Sequence, residues 1–153
     1  TNPVTPYGVA KDTLRKYLSF LQSKSNFSLI WLRYFYMHGN GQSNKSFHSQ
    51  LGHAIEQRQP VFNMSIGEQL RDYLPVEDVA LLTKTLACDE KASGIYNVCS
   101  GNPISIRRLA EQKIDEHKSD ISLKLGHYPY PEHEPLAFWG DRTKLDIFLK
   151  KEA

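Results

Sequence analysis

The chain has 153 residues, of which 40% are hydrophobic and 24% are charged, and its formal net charge is +2. A chain of this size can bury one sizeable core, and its interspersed basic and acidic residues argue against a nucleic-acid-binding protein. Since neither an apolar run of 18 residues nor a signal peptide is present, we expect no membrane span and a cytoplasmic location.

The first predicted helix begins at Pro6, because proline is favoured at the first position of a helix. Apolar residues then recur at helical spacing, at Ala10, Leu14, Tyr17, Leu18 and Leu21. We expect this helix to end near residues 25–26.

Tyr7 and Lys11 lie four residues apart in this helix, so their side chains project from one face. An ammonium group beside a phenol favours the phenolate, and such a pair can exchange a proton with a sugar or alcohol hydroxyl. Composition alone, however, is expected to give roughly 0.6 such pairs by chance. The spacing therefore leaves an active site and an ordinary helix start both open.

The next segments predict a strand, a loop and a helix. Residues 27–39, FSLIWLRYFYMHG, are dense in aromatic and aliphatic residues and predict a strand buried on both faces. The polar GNGQSN at 39–44 predicts a loop. A second amphipathic helix is predicted from apolar residues at helical spacing, namely Phe47, Leu51, Ala54 and Ile55.

The middle of the chain predicts short extended segments at 60–64 and 67–76, on either side of a turn at 65–67. A third helix is predicted from Val76, Val79, Ala80, Thr83 and Leu86. SGIYNVCSG at 93–101 then predicts a second buried strand, and residues 104–118 predict a fourth helix capped by Ser105. This alternation of strands and helices predicts an α/β fold.

Cysteine and histidine spacing does not indicate a metal site. We expect both cysteines, Cys88 and Cys99, to be buried free thiols. The two histidine pairs, His48 with His53 and His127 with His133, lack the spacing of ligands on one helical turn. The Pro-rich aromatic segment YPYPEHEPLAFWG at 128–140 is predicted to be a loop that covers a site.

Four blocks follow one another along the chain: NPVTPYGVAK at 2–11, LIWLRYFYMHGNGQ at 29–42, RDYLPVEDVA at 71–80 and GIYNVCSGNPISIRRLAE at 94–111. In this order they resemble the C-terminal half of the extended short-chain dehydrogenase/reductases, the NAD-dependent epimerase/dehydratase family. The resemblance covers nearly the whole chain, and four ordered blocks are far more specific than a Tyr–Lys pair. It implies the last parallel strands and helices of a Rossmann-type domain, together with a small substrate-binding lobe.

The resemblance also implies a division of the chain. Residues 1–39 would end the dinucleotide-binding domain, and residues 40–153 would mostly form the substrate-binding lobe, with about 76–100 returning to the Rossmann sheet. The family's G-x-x-G-x-x-G turn, which holds the cofactor pyrophosphate at a helix N-terminus, does not occur in this sequence. We therefore expect a C-terminal fragment that is inactive by itself.

Site roles follow from the same resemblance. Tyr7 matches the catalytic acid/base, and Lys11 matches the lysine that binds the nicotinamide ribose of NAD or NADP. Arg71 matches the arginine that binds the phosphates of the nucleotide sugar, a task that suits a permanently charged, fork-shaped guanidinium. The structural alternative for Arg71 is a salt bridge with Asp72 or Asp78.

Other positions depart from the family pattern. Tyr36 replaces an asparagine that touches the substrate in many epimerases, and it is a candidate contact for both cofactor and substrate. Pro75 replaces a usual histidine, which favours a divergent reductase or epimerase over galactose-type enzymes. Aromatic loop residues are expected to wall the sugar or base, with Tyr130 as the substrate-binding candidate beside Tyr128, His133 and Trp139.

The resemblance implies hydride transfer to or from a sugar carbon, with Tyr7 carrying the hydroxyl proton. It favours a 4-ketoreductase or 4-epimerase of deoxysugar synthesis for surface polysaccharides, with a nucleotide sugar as substrate. The Tyr7–Leu21 helix is expected to form a homodimer interface. The alternative from another class is a non-catalytic nucleotide-sugar-binding or interaction module that lacks the cofactor half.

Overall fold

A computed structural model describes residues 3–130 and 134–152. This part of the chain contains five helices, α1 Pro6–Gln22, α2 Phe47–Glu56, α3 Val76–Cys88, α4 Ile106–Glu116 and α5 Thr143–Glu152. Its strands are β1 Ile30–Tyr34, β2 Tyr36–His38, β3 Val61–Asn63, β4 Leu70–Arg71, β5 Tyr73–Pro75, β6 Gly94–Val98, β7 Ile104–Ser105, β8 Ser122–Lys124 and β9 Ala137–Phe138.

Parallel strand pairs form the centre of the fold. β1 pairs with β6 from Ile30↔Gly94 to Tyr34↔Val98, and β2 pairs with β5 from Tyr36↔Tyr73 to His38↔Pro75. Helices α3 and α5 pack against the β1–β6 pair through a core of Leu86, Ala92, Tyr96, Leu145 and Phe148. Parallel strands covered by helices confirm the predicted α/β class.

A second core lies between α2, α4 and the parallel pair β3–β8. Its buried members come from α2, β3 and α4 and from the residues directly after β3 and before β8, and they are Leu51, Ala54, Ile55, Phe62, Met64, Ala110 and Ile121. The short strand β4 pairs with β7 on one side and with β9 on the other. β4 thereby joins the beginning of α4 to the segment at 134–140.

The predicted helices are confirmed, and their ends have local causes. The Thr5 hydroxyl accepts a hydrogen bond of 3.1 Å from the Gly8 N–H at the start of α1, and α1 ends a few residues earlier than expected. Ser105 caps α4 as predicted, accepting a 3.1 Å hydrogen bond from the Arg108 N–H. Helix α5 and the short strands β7, β8 and β9 were not predicted. β7 occupies the first two residues of the predicted fourth helix, and β9 lies inside the segment expected to be a loop.

The expectation of a strand buried on both faces at 27–39 is wrong. This segment forms two strands, β1 and β2, and none of its residues is buried. The physical reason is that, among the described residues, β1 pairs only with β6 and β2 only with β5. Helix α1 likewise buries no residue within the described part of the chain.

The cysteine prediction is half right, because Cys99 is buried but Cys88 at the end of α3 is exposed. Both thiols are free. Burial, with the nearby Asp72, raises the pKa of Cys99 to about 11, which keeps this thiol protonated at neutral pH. In the ranges that the structure covers, no helix has the length and hydropathy that a membrane span requires.

Candidate functional site

Tyr7 and Lys11 stand together on the first turns of α1. The Lys11 ammonium lies 5.6 Å from the centroid of the Tyr7 ring, and the Tyr7 residue is 73% exposed. The helical spacing places both groups on one face, as predicted. A phenol and an ammonium are therefore presented side by side to any ligand that covers this end of α1.

Lys11 is not used by the ion pairs of its own helix. The carboxylate of Asp12 pairs at 2.8 Å with both Lys16 and Arg15, and their hydrogen bonds lower the Asp12 pKa to about 2. Within the described residues Lys11 makes no ion pair, so its charge is available to a ligand.

Arg71 is a buried cation at the end of β4. Its Nη1 donates hydrogen bonds of 2.9 Å to the Leu70 and Pro135 carbonyls, and its Nη2 donates one of 3.0 Å to Oε2 of Glu134. The alternative prediction for Arg71 was a structural salt bridge with Asp72 or Asp78. These partners are wrong, because the carboxylate that pairs with Arg71 belongs to Glu134.

Asp72 was not predicted as a site residue, although it follows Arg71 directly in the RDYLPV block. Its carboxylate is fully buried and accepts backbone N–H bonds from Ser100 at 2.6 Å, Gly101 at 3.0 Å and Gly140 at 3.4 Å. Three donors compensate for the loss of water around the carboxylate. Asp72 thus holds the ends of β6 and β9 beside Arg71.

Tyr36 lies next to Arg71. The guanidinium carbon of Arg71 is 5.6 Å from the Tyr36 ring centroid, a cation–π distance. The same ring lies 5.5 Å from the Tyr73 ring and 6.2 Å from the Phe138 ring. An aromatic wall therefore borders the buried cation, and Phe138 is a member that the sequence did not single out.

The aromatic residues expected to wall the sugar or base do not share one set of contacts in the structure. The Tyr130 hydroxyl accepts a 3.1 Å hydrogen bond from the Glu68 N–H, while the residues Tyr128 and Trp139 are exposed. Trp139 lines a polar cavity of about 840 Å³ together with Asn102 and Arg142. His133 lies outside the described residues.

Two histidines pack together beside Tyr73. The rings of His38 and His48 are stacked at 4.7 Å, and the Tyr73 ring meets His48 edge-on at 4.9 Å. Burial, with the nearby His38 and Lys113, lowers the His48 pKa to about 4, so this imidazole is neutral at pH 7. In the described ranges, no three His, Cys, Asp or Glu side chains are placed to hold a metal ion.

The structure thus assembles the site candidates into two groups, Tyr7 with Lys11 and Arg71 with Tyr36. The first offers a proton-carrying hydroxyl beside a cation. The second offers a desolvated guanidinium beside aromatic rings, a combination that suits phosphate together with a flat or apolar group.

Comparison with known proteins gives a consistent result. A relative from Aggregatibacter actinomycetemcomitans, dTDP-6-deoxy-L-talose 4-dehydrogenase (NAD(+)), is 34% identical over 140 residues, which is 91% of this chain and 52% of the relative. The chain spans about half the length of the curated relatives it matches.

Solved structures are similar over nearly the whole chain. UDP-N-acetylglucosamine 4-epimerase from Methanobrevibacter ruminantium, in complex with UDP-N-acetylmuramic acid, matches with a TM-score of 0.81 and 26% identity over 95% of this chain and 47% of that protein. UDP-glucose 4-epimerase from Thermotoga maritima, with UDP-glucose, matches with a TM-score of 0.83 and 22% identity over 95% of this chain and 47% of that protein. These neighbours confirm a Rossmann-type α/β architecture.

The family model described as "NAD dependent epimerase/dehydratase family" matches residues 1–99. This range contains both groups of candidate site residues, Tyr7 with Lys11 and Arg71 with Tyr36. The chain therefore belongs to the NAD dependent epimerase/dehydratase family.

Proposed function

We propose that the protein containing this chain is an NAD(P)-dependent nucleotide-sugar enzyme, either a 4-ketoreductase or a 4-epimerase of deoxysugar synthesis. The observation that carries the proposal is the exposed Tyr7–Lys11 pair, within the range that the family model matches. Two similar proteins, a 4-dehydrogenase at 34% identity and a 4-epimerase at 26% identity, support sugar carbon 4 as the reacting position.

Tyr7 is the proton carrier in this proposal. Its hydroxyl gives a proton to the sugar oxygen on reduction and takes it back on oxidation, which requires an exposed phenol such as Tyr7 presents. The Lys11 ammonium donates hydrogen bonds to ribose hydroxyls in this proposal. NAD or NADP, when bound, supplies or accepts the hydride.

These residues fit the ribose end of a nicotinamide dinucleotide, since Lys11 has no competing ion pair among the described residues. The sequence offers no G-x-x-G-x-x-G turn for the pyrophosphate. We infer that the chain by itself holds this cofactor weakly.

We also propose a division of the chain between two domains. Residues 1–39 belong to the dinucleotide-binding domain, with about 76–100 returning to its sheet, and the rest of 40–153 belongs mostly to the substrate lobe.

Arg71 is the proposed phosphate ligand for the nucleotide sugar. Its side chain is only 3% exposed, so a phosphate that reaches it meets a cation with little competing water. The Tyr36 ring beside it is proposed to contact the substrate and the nicotinamide, and Tyr130 to border the sugar or base. We also propose that the Tyr7–Leu21 helix forms a homodimer interface.

A coenzyme assay tests the function directly. The purified natural gene product is mixed with dTDP- and UDP-linked 4-keto-6-deoxysugars and with NADH or NADPH, and nicotinamide absorbance is followed. For a 4-ketoreductase we expect oxidation of NADH or NADPH with at least one of the 4-keto sugars. For a 4-epimerase we expect interconversion of dTDP- or UDP-hexoses, which chromatography detects. The absence of both activities with every sugar tested would overturn the proposal.

A second candidate is a non-catalytic nucleotide-sugar-binding module, in which the buried guanidinium of Arg71 would hold the phosphates. The same assay separates the two candidates. A module would bind uridine diphosphate through Arg71 and leave both coenzymes and sugars unchanged.

A further inference from the structure

Both terminal nitrogens of the Arg71 guanidinium have partners in the structure. Nη1 donates its two hydrogens to the carbonyls of Leu70 and Pro135, both at 2.9 Å. Nη2 donates to Glu134, whose side chain is 53% exposed, whereas that of Arg71 is only 3% exposed. Among the described residues, Glu134 is therefore the charged group that stands between this buried cation and water.

Glu134 is held near Arg71 by its backbone and not by its carboxylate alone. The Pro135 carbonyl accepts from Arg71, and the Leu136 carbonyl accepts a 2.8 Å hydrogen bond from the Leu70 N–H. These bonds anchor the segment at 135–136 to β4. The Glu134 side chain can thus leave the guanidinium by rotating into water while the backbone beside it stays in place.

We propose that Glu134 is an autoinhibitory residue of the phosphate site, because its carboxylate occupies the place on Arg71 that the diphosphate of a nucleotide sugar takes. This inference rests on the proposed phosphate-binding role of Arg71. The carboxylate must rotate away before the substrate diphosphate makes its contact.

The exchange of anions is favourable for a diphosphate. Glu134 is half exposed, so its carboxylate regains hydration when it rotates into water, and the incoming diphosphate replaces it as the partner of the buried guanidinium. A diphosphate brings more negative charge and several acceptor oxygens to Arg71. A singly charged anion gains far less from the exchange, so Glu134 biases the site toward multiply charged ligands and lowers the affinity for all of them.

Calorimetric titration of the purified natural gene product with uridine diphosphate, and separately with inorganic pyrophosphate, tests this proposal. Glu134→Gln keeps the shape of the side chain and removes its charge, and Glu134→Ala removes both. We expect each variant to bind both probes roughly three- to tenfold more tightly than the wild type. Melting temperatures confirm that the variants are folded.

Two further variants serve as controls. Glu90→Gln makes the same change in net charge in the exposed turn before β6, at the strand end opposite Ser100, and its affinity should equal that of the wild type. Arg71→Lys keeps the positive charge but loses the fork, and it should weaken binding with or without Glu134→Gln.

The outcomes separate the two proposals. If Arg71→Lys weakens binding but neither Glu134 variant strengthens it, the autoinhibitory role is wrong and the phosphate role of Arg71 stands. If Arg71→Lys binds as the wild type does, or if no variant binds either probe, the proposed function of Arg71 is wrong. If Glu90→Gln raises the affinity for the probes as much as Glu134→Gln does, the effect comes from net charge alone and the inference is also wrong.

Discussion

The buried carboxylate of Asp72, the residue between β4 and β5, accepts a 2.6 Å hydrogen bond from the Ser100 N–H and so ties these two strands to the segment that follows β6. The same carboxylate holds Gly140, where a Cβ atom would lie only 2.5 Å from the Cys99 sulfur. A glycine is therefore required at that point of close approach. Asp72 fixes the position of its neighbour Arg71 relative to both segments.

Asp72→Ala should lower the free energy of unfolding by about 2–4 kcal/mol, because it leaves one buried and two part-buried N–H groups without an acceptor. Urea denaturation followed by circular dichroism measures the change. Asp120→Ala, at an exposed position before β8, is the matched control and should change stability by about 0.5 kcal/mol or less. Equal losses in the two variants would contradict the anchoring role.

Tyr7→Phe should abolish turnover in the natural gene product while uridine diphosphate still binds, because the change removes only the transferable proton. Tyr34→Phe is the matched control, since Tyr34 is an exposed tyrosine at the end of β1, and it should keep full activity. Steady-state kinetics and calorimetry provide the two readouts. Substantial turnover in Tyr7→Phe would show that Tyr7 is not the proton carrier.

His48 should make stability fall in mild acid. Its pKa is lowered from 6.5 to about 4 in the folded chain, so between these values the unfolded chain binds more protons and becomes favoured as pH falls. We expect a loss of about 1–2 kcal/mol across this window, after allowance for partial exposure. The stability is fully present above pH 6.5.

Denaturation measured at several pH values checks this dependence. His48→Phe keeps a ring against His38 and Tyr73 but does not titrate, so its stability should change less between pH 6.5 and pH 4. His53→Gln, at an exposed position of the same helix, should retain the wild-type slope. A His48→Phe profile identical to that of the wild type would show that another group carries the effect.

The 153-residue chain alone should show no saturable low-micromolar binding of NADH or NADPH. One ammonium contact to a ribose is worth about 1–3 kcal/mol, whereas micromolar affinity needs about 8 kcal/mol. Titration followed by nicotinamide fluorescence measures this, with Lys11→Ala to identify any weak ribose contact. Tight binding would require a pyrophosphate site that the sequence does not reveal.

The natural gene product should be a homodimer that uses α1, since this helix buries none of its residues and exposes Leu14, Tyr17 and Phe20. Light scattering coupled to size exclusion gives the mass in solution. Leu14→Glu should dissociate the dimer, whereas Ser19→Glu, at an exposed position on the opposite face of α1, should not. A wild-type protein that is monomeric at micromolar concentration would contradict the proposed interface.

The sequence by itself determined the features that depend on neighbouring residues. Helical periodicity and local caps, such as Pro6 and Ser105, are set by interactions within a few positions, so four helices were predicted close to their observed bounds. The Tyr7–Lys11 pair belongs to this class, because an i, i+4 spacing fixes a shared helix face. The alternation of strands and helices likewise sufficed for the α/β class.

Only the tertiary structure decided which distant groups meet. Glu134 lies 63 residues from Arg71, and the N–H donors to Asp72 come from 28, 29 and 68 residues away. No local pattern encodes such partners, because they are set by how β4, β6 and β9 come together. Strands of two or three residues, such as β9, have no periodicity to detect, and burial of β1 depends on which strands lie beside it.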